Sequence, residues 1–233
     1  MLTAELEIQE TIENKNNQWS SKQKRCYHRL RSMLTYWESH DFEMLVVTLT
    51  SSPASNAIKL RDNHDRLRMS IEYNFGYKDI EHFIVETKEG YGVLHIVWAL
   101  KSGQGLVPNN FYVPQDWLSS EWYRLHKANI VYIKRYDNVS GSSPMKLSKY
   151  FVSQYYAGQQ DFVRYSYSWR RTLGFPLVRY WTLFKDYWLN HAQVDYKEML
   201  WLWDMFLRGE RLPDVLNKGK FFYTIDEMKH IQI

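Results

Sequence analysis

The chain has 233 residues, with 30 Lys and Arg against 26 Asp and Glu, and its aromatics include 10 Trp and 18 Tyr. That length can bury a full core, and a net charge of only +4 excludes histone-like coating of a polyanion, so contact with one must come from a local patch. The single cysteine, Cys26, excludes an internal disulfide and a multi-thiolate metal site and fits a reducing compartment, read as the cytoplasm; no secretory signal core opens the chain and no apolar run is long enough to span a bilayer.

Residues 3 to 38 read as a polar, charged helix whose second half carries the basic run Lys22, Lys24, Arg25, His28, Arg29 and Arg31, a face for solvent or for phosphates. From Met44 to Thr50 the chain is rich in β-branched residues, and Leu45, Val47 and Leu49 alternate with Val46, Thr48 and Thr50, which predicts a strand. Ser51-Ser52-Pro53 ends it. A helix from Ser55 to about Tyr73 follows, with Leu60, His64, Leu67 and Ile71 on the stripe that meets the sheet.

Two strands, 80 to 87 and 92 to 100, are joined by Lys88-Glu89-Gly90-Tyr91, whose central Glu-Gly suits a two-residue hairpin turn. Pairing Lys88 with Tyr91 puts Glu86 opposite Val93, Ile84 opposite His95 and His82 opposite Val97, all on one face. The other face then carries Phe83, Val85, Leu94, Ile96, Trp98 and Leu100 and is expected to be the core. In that register His95, a lone imidazole in an apolar strand, points away from the core with His82 and Glu86 as diagonal neighbours.

Residues 103 to 110 read as a loop, 114 to 128 as a helix, 130 to 136 as a fourth strand, 138 to 144 as a turn-rich loop and 145 to 157 as a helix. Strand, helix, strand, strand, helix, strand predicts an α+β protein with a ferredoxin-like or RRM-like βαββαβ core, its first and third strands central in an antiparallel sheet and its helices on one face. Thr48, Thr50 and His95 would lie side by side on the open face. Aromatic-rich helices at 180 to 192 and 196 to 207 follow, their Trp181, Trp188, Trp201 and Trp203 read as helix-helix core. The expected organisation is a helical segment over 1–40, a main domain over 41–175 and a helical extension over 176–233.

Within about Met44 to Phe175 the layout resembles the HUH-superfamily rolling-circle replication initiators, the Rep proteins of plasmids and viruses. Leu45-Val46-Val47-Thr48-Leu49-Thr50 is similar to that family's threonine-rich first strand, and Val93-Leu94-His95 or His95-Ile96-Val97 to its His-hydrophobic-His strand, with one of the two histidines present. Tyr150 on the helix is similar to the family's tyrosine, with Ser153 where a lysine would stand three residues on. The single-histidine form and the tyrosine-rich helix point to an archaeal element.

The resemblance implies a DNA endonuclease and strand transferase that nicks single-stranded DNA or an origin hairpin, forms a 5′-phosphotyrosyl bond and can rejoin the strand. It implies a divalent cation, Mg2+ or Mn2+, with His95 as ligand and Glu86 or His82 completing the site; such a cation polarises the phosphate so that a tyrosine can attack. Tyr150 is the first candidate nucleophile and Tyr155 and Tyr156 its rivals, while Lys146, one helical turn before Tyr150, stands in for the missing lysine. Thr48 and Thr50 on the sheet are candidate nucleic-acid contacts.

Arg164-Tyr165-Ser166-Tyr167-Ser168-Trp169-Arg170-Arg171 interleaves bases with aromatics, the combination that follows a phosphate backbone and stacks unpaired bases, so Arg164, Trp169, Arg170 and Arg171 join those contacts. Two other classes fit the same residues: a single-strand binder without chemistry, and a partner-binding protein whose tryptophan-rich tail is the working surface.

Overall fold

A computed structural model describes residues 19–103, 110–136, 143–153, 162–167, 181–182 and 184–210. Its first helix, α1 (Ser21–Ser39), begins where Ser20 caps it: the Ser20 hydroxyl accepts from the Gln23 backbone N–H at 3.3 Å and Gln23 Oε1 accepts from the Ser20 N–H at 2.9 Å. Along it Cys26, Leu30, Met33, Leu34 and Trp37 recur at three- and four-residue spacing and are buried, so the helix is amphipathic rather than polar throughout. Strand β1 (Phe42–Thr50) follows. A short 3-10 turn, Ala57–Lys59, leads into α2 (Leu60–Phe75), which ends at Gly76 in the left-handed region.

Strands β2 (Glu81–Thr87) and β3 (Val93–Lys101) form the central hairpin, then come α3 (Gln115–His126), β4 (Val131–Arg135), α4 (Pro144–Ser153) and β5 (Phe162–Tyr167). A π-helical turn at Tyr187–His191 and α5 (Tyr196–Leu207) complete the described chain. The protein is α+β, with five antiparallel strands in the order β4-β1-β3-β2-β5. β1, β3 and β2 each have neighbours on both sides, where only the first and third strands were expected to be central. The fifth strand is additional to the expected four and overlaps the run from Arg164, read in the sequence only for its bases and aromatics.

Both faces of the sheet are covered, against the expectation of one open face. On one side Leu60, Leu67 and Ile71 of α2 and Leu118 and Trp122 of α3 pack over Leu45, Val47, Leu49, Ile84, Leu94, Ile96 and Trp98. On the other, α1, Phe151 and Val152 of α4, Phe184, Trp188 and α5 pack over Met44, Phe83, Val85, Val97 and Ala99. Arg31 of α1 pairs with Asp204 of α5, and Trp203 Nε1 donates to Ser32 Oγ at 3.1 Å, so the terminal helices share one core with the sheet. Trp188 and Trp203 are buried there, whereas Trp201 points outward.

The central hairpin departs from the predicted register by one residue. Thr87 pairs with Val93, leaving a five-residue connection in which Gly90 (φ 55°) and Gly92 (φ 108°) both take backbone that side chains rarely adopt. Glu89 O accepts from Gly92 N at 2.9 Å. His95 therefore lies opposite Val85, Glu86 opposite Leu94 and His82 opposite Trp98. Because neighbouring strand residues point to opposite faces, that slip sends His82 and Glu86 to the α2–α3 side and leaves His95 on the α1–α4 side.

Candidate nucleic-acid site

Register alone defines the side of the sheet on which His95 stands. Tyr132, Thr48, His95, Val85 and Tyr165 are aligned partners across β4, β1, β3, β2 and β5. The next row, two residues along, is Lys134, Val46, Val97, Phe83 and Tyr167. Thr50 stands on this face beside Val93, its hydroxyl donating to Ile130 O at 2.7 Å. So Thr48 and His95 are brought side by side, as the sequence predicted, but in a row that is aromatic at both edges.

His95 is 7% exposed, its ring 6.2 Å from that of Phe151 on α4 at a steep angle. Burial disfavours its charged form and pushes its pKa down to about 4, so the imidazole is neutral at pH 7. The expectation that it faces away from the core is corrected: the strand from Val93 to Leu100 is buried on both faces, which is what its near-continuous apolar run encodes.

His82 and Glu86 have structural partners on the far side. The His82 ring meets the His64 ring at 5.4 Å, edge to face, and His64 Nε2 accepts from Trp98 Nε1 at 3.1 Å. Burial, then the nearby His64, Arg68 and Arg61, push His82 down to about 3, with Asp65 opposing. Arg61 of α2 donates through Nε to Glu86 Oε2 at 2.6 Å and reaches Ser166 of β5 with Nη1. Arg61 thus ties α2 to β2 and to the edge strand β5. The trio His95, His82 and Glu86 does not assemble, because a sheet separates the first from the other two.

Helix α4 lies on the His95 side, and Tyr150 on it is 48% exposed, next to the buried Phe151 whose ring touches His95. Lys146, one turn earlier, is exposed too. Tyr155, Tyr156, Trp169, Arg170 and Arg171 lie outside the described residues. Arg164 belongs to β5, paired with Glu86 beside a bulge that shifts the register before Thr87.

Sequence reasoning missed two arrangements. At the β5 edge, Tyr165 and Tyr167 stack on Phe83 at 5.7 and 5.9 Å, and the Arg29 guanidinium lies over both rings while Nη1 donates to Tyr167 Oη at 2.8 Å. The basic run of α1 thus reaches the aromatics it was read apart from.

The other is a polar chain: Asn63 Nδ2 donates to His126 Nδ1 at 2.9 Å, and His126 Nε2 meets Ser51 Oγ at 2.8 Å. With Nδ1 accepting, Nε2 bears the proton and donates to the hydroxyl, so the histidine has no lone pair with which to activate Ser51. The three residues clip the exit of β1 to α2 and α3.

Among the described residues no group of three or more His, Cys, Asp or Glu side chains is placed to hold a metal ion. His95, with no carboxylate on its own face in the rows above, does not fit the divalent cation that the resemblance implies. No helix among the described residues is long and apolar enough to cross a membrane. No family model, no curated protein and no solved structure matches the chain.

Proposed function

We propose that this protein is a Rep-type initiator that binds single-stranded DNA and nicks and rejoins it through a tyrosine, on a ferredoxin-like core with one strand added. The observation that carries the reading is the pairing of Thr48 with His95 on neighbouring inner strands, under helix α4, which carries the exposed Tyr150 next to the Phe151 that meets His95. The order β4-β1-β3-β2, with β5 appended beyond β2, supports the ferredoxin-like assignment.

On this reading the Tyr150 phenol attacks phosphorus and its proton leaves to solvent. The bond from phosphorus to O3′ breaks, and O3′ takes up a proton. The products are a free 3′-hydroxyl and a 5′-phosphotyrosyl ester, and because the ester keeps the energy of the phosphodiester the 3′-hydroxyl can reverse the step. His95 is a neutral, packed group that holds α4 against the sheet through Phe151.

The burial of His95 favours a second reading, a single-strand binder on the same scaffold without chemistry. A pool of 3′-labelled single-stranded DNA, incubated with the protein with and without Mn2+ and run under denaturing conditions, separates the two. Nicking predicts a slow-migrating covalent adduct that is absent in Tyr150→Phe. A mobility shift under native conditions without any adduct leaves the binder. An adduct that survives in Tyr150→Phe moves the role to another tyrosine, with Tyr155 tested next.

A further inference from the structure

Both edges of the His95 face carry tyrosine and treat it differently. At the β5 edge the tyrosines are consumed internally, stacked on Phe83 and covered by Arg29. At the β4 edge Tyr132 is 53% exposed, stacks on no other ring among the described residues, and is followed on the same face by Lys134, which is exposed and has no ion pair among them. Their strand neighbours Val131 and Ile133 point into the α2–α3 core, so the strand is anchored through one face and presents the other. Next to them on β1 lie Val46, Thr48 and Thr50, half-buried.

Resting on the reading above, we propose that Tyr132 and Lys134 form a nucleotide platform at the β4 edge. A base of single-stranded DNA stacks on the Tyr132 ring, and the phosphate of the adjoining nucleotide meets the Lys134 ammonium. The two side chains are about 6.8 Å apart along the strand, a separation that one nucleotide of an extended strand bridges. The pairing is chemically matched: a π-face takes any base and a cation takes the backbone. The half-buried Val46 and Thr48 beside them border the platform, so the DNA would run along β4, from Tyr132 toward Lys134, and not inward to the covered His95. Duplex DNA, whose bases are already stacked, gains nothing from the ring.

The test is the affinity of a labelled oligothymidylate, followed by fluorescence anisotropy across a series of salt concentrations. Tyr132→Ala should weaken binding by about 5- to 150-fold, while Tyr132→Phe, which keeps the π-face, stays within about twofold of the parent. Lys134→Ala should flatten the dependence of log affinity on log salt by about 0.7. Both positions are exposed, so the thermal midpoints of the variants serve as the check that they fold. If the parent protein binds the oligonucleotide and Tyr132→Ala binds it equally well, the platform is wrong and the proposed function stands. If the parent does not bind at all, both fall together.

Discussion

The two sides of the sheet are built from different material. Over the α2–α3 side a mainly aliphatic core, with Tyr77, Trp98, Phe111 and Trp122 among its buried members, closes on hydrogen-bonded imidazoles, His64 and His126, and Arg61 pairs with Glu86. Over the α1–α4 side the filling is aromatic, drawn from helices at both ends of the chain, and it stops short of β4, where Tyr132 and Lys134 are exposed. On that side the two imidazoles are buried, and Arg61 and Arg68 of α2 are engaged in ion pairs, with Glu86 and Glu72 respectively. The α1–α4 side leaves a ring and an ammonium exposed at β4, and this contrast supports the proposal that recognition falls there.

The largest effect that could break this contrast is on stability. Trp98 is fully buried under α2 and donates to His64, so Trp98→Ala should cost about 3–5 kcal/mol in urea unfolding through the cavity and the orphaned acceptor. Tyr132→Ala on the other side should change stability by less than about 0.5 kcal/mol. Equal costs at the two positions would mean that β4 is as sealed as the opposite core.

A smaller effect comes from acid. His82 titrates near 6.5 when unfolded and at about 3 when folded, so the fold holds it neutral. Its contribution is present in full above pH 6.5 and is lost as pH falls toward the folded value, because the unfolded chain binds the extra proton first. Between those limits stability should fall by about 1.4 kcal/mol per pH unit for this one group, and His82→Phe should make the measured slope shallower by that amount. A slope unchanged in His82→Phe would show that the imidazole is already wet in the native state.

Much of the fold was legible in the sequence, since each strand and helix of the βαββαβ stretch has its own period and its own punctuation. The α2 stripe of Leu60, His64, Leu67 and Ile71 is buried as the spacing required. What failed was the hairpin register, and it took the candidate metal site with it. Glu89-Gly90 looks like a two-residue turn, yet Gly92 also sits at positive φ, and the pair of glycines was the signal for a longer connection.

Alternation could not correct the error, because β3 is apolar toward both faces and gives the same pattern in either register. That same continuity was the available sign that helices cover both sides. Strand β5 was hidden because Arg164 to Tyr167 is polar by composition, and its tyrosines become apolar surface only once Phe83 and Arg29 are beside them. Tyr132 and Lys134 were unremarkable in sequence for a related reason. Exposure at one sheet edge and coverage at the other are set by where α1 packs, which local spacing does not encode.

The assignment of recognition to the α1–α4 side is tested most directly by amide hydrogen exchange of the full chain with and without a saturating single-stranded oligonucleotide. The account predicts slowed exchange in β4, residues 131–135, and in α4, residues 144–153, with α2 and α3 unchanged. Slowing confined to α2 and α3, with β4 exchanging as in the free protein, would contradict it.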